Sequence, residues 1–232
     1  MASRWLTTSV GLVTVACALV ARTAQAQEEG GTGGEALPGP ADEKPEPKRS
    51  ALYLDVGVGL GYASLSEDRP DAKNPSSASE VSATGFAVPV YAALGYRVGN
   101  SVAVGGALLL ADQPSPSIDY KLIGVGTPVI EAGGAFGGLI GPMAAFQVSQ
   151  SIELNAALGY GGFGRSAPHP GFGGKGFMYS LAGEYQLPAS PKLAITMGLR
   201  LTGGFMSYDD GSEGTYKSTL VLPALTAGFA FR

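Results

Sequence analysis

What this chain has least of is reactive and charged chemistry. Of its 232 residues one is a cysteine, Cys17, and one is a histidine, His169. Cys17 lies within the first 26 residues, so beyond them there is no thiol for a disulfide, a nucleophile or a soft metal site. Charged residues make up only 15% of the chain, and the 15 bases are outnumbered by 19 acids. A nucleic-acid footprint needs a basic surface, and a chain of net charge −4 does not offer one. Long apolar runs are also missing, since no stretch after the N-terminus approaches the roughly 20 residues of a membrane helix. Yet 45% of the residues are hydrophobic and 36 are glycine. The apolar content is therefore dispersed, and dispersal with period two points to strands.

The first residues read as a secretory signal: Arg4, an apolar stretch from Val10 to Ala21, and a small-residue site at Ala24-Gln25-Ala26, with cleavage expected between Ala26 and Gln27. A retained membrane helix is the alternative, which the short apolar stretch argues against. A lipoprotein reading at Thr14-Val15-Ala16-Cys17 is disfavoured by the threonine where leucine is usual. Gln27 to Ser50 carries six acids and three bases among glycine and proline, with almost nothing to bury, and is expected to be a disordered linker.

From residue 51 the chain alternates strictly. In Leu52–Tyr62 (LYLDVGVGLGY) every even position is apolar, and the odd positions are Tyr53, Asp55 and three glycines. Seven more segments repeat the design: 86–98, 102–110, 136–148, 152–164, 177–187, 193–205 and 221–231. The connections after even-numbered segments are tight (Gly99-Asn100-Ser101, Ser149-Gln150-Ser151, Pro188–Lys192). Those after odd-numbered segments are long and polar (Ala63–Gly85, Ala111–Ala135, Arg165–Gly176, Met206–Leu220). Eight amphipathic strands joined by alternating long loops and short turns predict an all-β fold, an eight-stranded antiparallel up-and-down transmembrane β-barrel over residues 51–232. The expected location is the bacterial outer membrane, with short turns and both mature termini in the periplasm.

Two patterns support a lipid-facing exterior. The ionisable residues inside these segments, Asp55, Arg97, Glu153, Glu184 and Arg200, all fall on the face opposite the large aliphatics, as they must where a midplane Arg or Lys costs roughly 2–4 kcal/mol. Aromatics gather at the two ends of the apolar face: Tyr62, Phe86, Phe136, Tyr160, Phe177, Tyr179 and Phe205 toward the loops, and Tyr96, Phe146, Tyr185, Phe229 and Phe231 toward the turns. At this point the chain resembles the eight-stranded outer-membrane barrels of the OmpA/OmpX type. The closing strand LTAGFAFR, Leu225 to Arg232, is similar to the aromatic-rich signal read by outer-membrane assembly machinery, although that signal usually ends on phenylalanine and here Arg232 follows Phe231. The resemblance implies outer-membrane lipid, lipopolysaccharide and the assembly machinery as partners. No extracellular partner is identified, and no cofactor is implied.

Candidate chemistry is sparse. The run Gly57-Val58-Gly59-Leu60-Gly61 lacks the helix and the Lys-Ser/Thr of a phosphate loop, and its glycines are expected to give clearance inside a narrow barrel. Gly171–Gly176 reads as a loop. Some eight-stranded outer-membrane barrels are lipid A enzymes using His and Ser, but no motif joins His169 to Ser166. One histidine without cysteine makes zinc a poor fit. The stronger constellation is the lumen charge cluster of Asp55, Arg97, Glu153, Glu184 and Arg200. Its charges should pair, since an unpaired buried ion is very costly. The expected pairs are Arg97 with Asp55, and Arg200 with Glu184 and with Glu153. A filled lumen predicts a non-enzymatic barrel whose loops serve envelope integrity, adhesion or partner binding; the alternatives are a narrow channel for ions or small solutes and a lipid A-modifying enzyme. A soluble secreted barrel is the structural competitor.

Overall fold

The computed structural model describes residues 51–68, 78–99, 101–122, 129–131, 134–165, 173–209 and 215–231. The expected signal and linker (1–50), together with Asn100, Ser166, His169 and Arg232, lie outside these. Among the described residues there are ten strands: β1 (Leu52–Asp68), β2 (Ala78–Val98), β3 (Val102–Gln113), β4 (Ser117–Leu122), β5 (Val129–Glu131), β6 (Ala135–Gln147), β7 (Ile152–Arg165), β8 (Gly173–Pro188), β9 (Leu193–Asp209) and β10 (Thr215–Phe231). Eight of them form a ring in the order β1-β10-β9-β8-β7-β6-β3-β2, closed by the β1–β2 ladder. Every ladder is antiparallel. The chain thus adopts the expected architecture, a closed eight-stranded antiparallel up-and-down barrel. Closure leaves no sheet edge within the ring, which is what a strand-built membrane span requires.

The two additional strands prolong the wall at the loop end. β4 continues the β3 side of the ladder along residues 78–84 of β2, after a break at Pro114-Ser115-Pro116, and β5 pairs on β4. β1, β9 and β10 also outrun their sequence-based limits, each reaching 17 residues, and β2 reaches 21. Seventeen residues span roughly 56 Å along the strand, more than even a tilted crossing of the ~30 Å hydrocarbon layer needs.

The reason these extensions read as loops lies in a change of phase. Below Tyr62 the even positions of β1 are apolar and point outward. Above it, Ala63, Leu65 and Glu67 are fully buried inward while Ser64, Ser66 and Asp68 face out. β10 makes the same switch, with Tyr216, Ser218, Leu220 and Leu222 inward and Lys217 and Thr219 outward. A strand leaving lipid for water must exchange an apolar outer face for a polar one, and its inner face can then become the apolar one.

Between the two ends the outer face is a belt of exposed hydrophobics, with Leu60, Leu199 and Leu225 each at least 60% accessible. Such a continuous apolar surface is not that of a water-soluble monomer. The loop-end aromatics Tyr62, Phe86, Phe136, Tyr160, Phe177 and Phe205 and the turn-end Tyr96, Phe146, Tyr185 and Phe229 are all exposed on it. Tyr62 and Phe86, opposite one another on β1 and β2, meet edge to face at 6.1 Å. Phe231 differs from expectation: it is buried, and its carbonyl is engaged from inside the barrel.

The turns are tight. Gly99, with φ of 70°, supplies the left-handed residue of the β2–β3 turn. The β6–β7 turn is closed by Val148 N–H donating to the Ile152 carbonyl (2.9 Å) and the β8–β9 turn by Ala189 N–H donating to the Leu193 carbonyl (2.9 Å).

Candidate functional site

The lumen divides into two layers. Toward the loop end it is filled by Leu65, Val81, Leu139, Met178, Leu220 and Leu222, all essentially inaccessible. Buried aliphatics at this end disfavour a water-filled path, although Gln113 and Ser218 are buried there too. One ionisable residue sits among them, Glu67, whose Oε2 accepts a hydrogen bond from Ser218 Oγ (3.4 Å). It lies in a stretch expected to be loop, and only the phase inversion of β1 would have revealed it as a lumen residue.

Toward the turn end the lumen is ionic. Strand alternation brings Asp55 from β1, Arg97 from β2, Glu153 from β7, Glu184 from β8 and Arg200 from β9 to the interior, and all five are buried. Arg200 organises one side. Its Nη2 donates to Glu184 Oε1 at 2.7 Å, its Nη1 donates to Ser180 Oγ at 3.2 Å, and its guanidinium lies 3.8 Å over the Tyr91 ring. The expected Arg200–Glu184 pair therefore forms. Tyr91 is held in turn by glycine clearance: a Cβ on Gly57 would sit 2.5 Å from the Tyr91 hydroxyl oxygen. That is the role anticipated for the inward glycines, and here it positions the aromatic floor beneath Arg200.

The other side departs from expectation. No contact between Arg97 and Asp55 is found among the described residues. The Arg97 guanidinium stacks 5.0 Å over Tyr53, and its Nη2 donates to the Phe231 carbonyl at 3.5 Å. Glu153 is held by Tyr53 rather than by Arg200: the Tyr53 hydroxyl donates to Glu153 Oε1 at 2.8 Å and approaches Asn155 Oδ1 at 3.2 Å. Adjacency of strands misled the pairing, because in a staggered barrel the side chains that meet across the lumen share a height and not a ladder. Tyr53 and Tyr91 were the residues missed. Their signal was in the sequence, since they are the two tyrosines on the inward face of β1 and β2.

Asp55 faces its own kind. The charged groups acting on it are Glu184, Arg200 and Glu153. Glu153 and Glu184 are themselves direct partners on the β7–β8 ladder, an arrangement that is unfavourable for two like charges. Asp55 Oδ1, Glu153 Oε2, Glu184 Oε2, Asn155 Nδ2, Thr196 Oγ1, Thr226 Oγ1 and the Tyr91 hydroxyl are buried without a hydrogen-bond partner from the protein. Groups of this kind are ordinarily satisfied by internal water. No group of three or more His, Cys, Asp or Glu side chains converges to hold a metal ion among the described residues.

No protein-family model and no curated protein matches the chain. Solved structures with a similar course include the outer membrane protein OprG from Pseudomonas aeruginosa, at 12% identity and a TM-score of 0.43, covering 79% of this chain and 96% of that one. AlkL, determined by solid-state NMR in lipid bilayers, matches at 8% identity and a TM-score of 0.44, covering 86% and 97%. Ail, the attachment invasion locus protein of Yersinia pestis, matches at 15% and 0.35, covering 76% and 98%. Likeness at this level transfers neither residue roles nor activity.

Proposed function

We propose that the chain is an integral outer-membrane β-barrel, non-enzymatic and closed to diffusion, whose working surface is the loop-end crown. The observation that carries this reading is the division of its surfaces. The mid-barrel exterior is an uncharged apolar belt bounded by aromatics, the five charges of the membrane-level strands are all interior, and the lumen above them is packed with aliphatics. A belt of that kind suits a bilayer, and the aliphatic layer obstructs a water-filled path. Its lipid partners are the phospholipid and lipopolysaccharide of the outer membrane, and the closing strand from Leu225 to Phe231 is what the assembly machinery would engage. What remains available for recognition is the extension of β1, β2, β4, β9 and β10 beyond the belt, polar on its outer face, in service of envelope integrity, adhesion or partner binding. Fractionation tests the placement: the chain should sediment with outer membranes and show heat-dependent gel mobility, whereas recovery from the soluble fraction would defeat the reading. A narrow channel for ions or small solutes is the rival. The ionic layer at the turn end favours it in part, but the aliphatic layer stands in series with that layer and opposes passage.

A further inference from the structure

We infer that the loop-end outer face of β8, β9 and β10 holds one phosphate group of lipopolysaccharide between Lys175 and Lys217. The assignment rests on the outer-membrane placement proposed above and names where the outer-leaflet lipid is gripped. Strand register creates the site. Ser207 on β9 is the ladder partner of Lys175 on β8 and of Lys217 on β10, and all three residues are exposed on the outer face. The two lysines therefore start about 10 Å apart at one height, two strand spacings, with a hydroxyl between them. That interval suits a single anion, which each ammonium can approach from its own strand while Ser207 offers a neutral donor from the wall.

Height and charge identify the ligand. Two residues below the lysines on the same face stand Phe177 of β8 and Phe205 of β9, which are ladder partners, and Thr219 of β10, all exposed. Two residues cover roughly 7 Å along a strand. The ammonium groups thus sit just outside the aromatic border of the apolar belt, at the level of headgroup phosphates rather than acyl chains. Neither ammonium is paired with a carboxylate among the described residues. Asp68, the β1 ladder partner of Lys217, borders the site on one side, and Asp209 lies two residues beyond Ser207. No acid stands between the lysines. Elsewhere at this end the outer face is acidic: β1, β2 and β3 carry Asp68, Glu80 and Asp112, and Lys121 of β4 has Glu80 as its register partner. A phosphate in the outer leaflet is therefore attracted at β8–β10 and repelled at β1–β3. With the loop end outward, the phosphates at that border belong to the lipid A part of lipopolysaccharide.

The test mixes the purified full-length barrel in detergent with lipid A that carries its phosphates, or with the same lipid dephosphorylated, and counts bound lipid by native mass spectrometry. The wild type should hold the phosphorylated lipid about tenfold or more tighter than the dephosphorylated one. A lysine at a membrane surface contributes about fivefold in affinity, so the double variant Lys175→Gln/Lys217→Gln should lose about 25-fold and with it the preference for phosphate. Arginine at both positions should keep the preference. Lys192→Gln, in the exposed β8–β9 turn at the opposite end, is the control and should change nothing. Heat-dependent gel mobility verifies that each variant is a folded barrel. Equal retention of the two lipids by the wild type would overturn the inference. So would a preference that survives in the double variant, or one that falls as far in Lys192→Gln. Displacement of the lipid by millimolar inorganic phosphate would make the site one for a free anion and refute the lipid assignment. Where the barrel still sediments with outer membranes, such failures remove the site alone; recovery from the soluble fraction removes the membrane reading with it.

Discussion

The two halves of this lumen are built by the same eight strands, yet they meet opposite problems. At the loop end the interior is mainly aliphatic, with Leu65, Leu139, Leu220 and Leu222 buried beside only a few polar groups, Glu67, Gln113 and Ser218. At the turn end it is ionic, with a 2.7 Å ion pair between Arg200 and Glu184, two arginines stacked on tyrosines, and several buried polar atoms, Asp55 Oδ1 and Asn155 Nδ2 among them, without a described hydrogen bond. Aliphatic packing stabilises simply by excluding water. The ionic layer must recover the cost of desolvating its charges through geometry, and it does so only in part. On the proposed reading, the aliphatic layer seals the barrel, while the ionic layer leaves buried polar groups for internal water to satisfy.

Substitutions can sharpen that contrast. The largest loss is expected from Glu184→Ala, which strands Arg200 in the interior and should cost about 3–5 kcal/mol. Glu184→Gln should be milder, because it keeps an acceptor for Arg200 Nη2; equal losses from the two variants would mean the charge, not the hydrogen bond, is what matters. In the sealing layer Leu65→Ala should cost about 3 kcal/mol by leaving a cavity, read as a lowered denaturant midpoint with unchanged slope. On the outer wall Leu199→Arg, at a residue 68% exposed to the surroundings, should cost roughly 2–4 kcal/mol in a bilayer. Its effect on a soluble barrel would be near zero, so this variant separates the two environments. Gly57→Ala should cost about 1–3 kcal/mol by pressing on the Tyr91 ring beneath Arg200. The smallest change belongs to Asp55→Asn, which breaks no described ion pair; a loss as large as that of Glu184→Ala would restore the expectation that Asp55 anchors an arginine.

Much of this architecture was legible in the sequence. Strand number, strand faces and the loop asymmetry followed from period-two alternation, because the bilayer enforces an apolar outer face at every strand. Interior placement of Asp55, Arg97, Glu153, Glu184 and Arg200 followed from the same rule. What escaped were the strand extensions, since beyond Tyr62 and below Val221 the apolar face turns inward and the pattern no longer matches the membrane template. The choice of partners escaped as well. Arg97 meets Tyr53 and the Phe231 carbonyl instead of Asp55, and that depends on the stagger between strands, which alternation alone does not encode. Glu67 combines both failures, a charged residue in an apparent loop that the structure carries into the sealed layer.

The central claim is that the aliphatic layer closes the lumen, and single-channel recording in a planar bilayer tests it most directly. The purified barrel should produce no steady conductance steps. Substituting small residues for Leu65, Leu220 and Leu222 together should produce them. Steady steps from the wild-type barrel, abolished by Arg97→Ala or Glu153→Ala, would contradict the account and make the ionic layer the selectivity element of a pore.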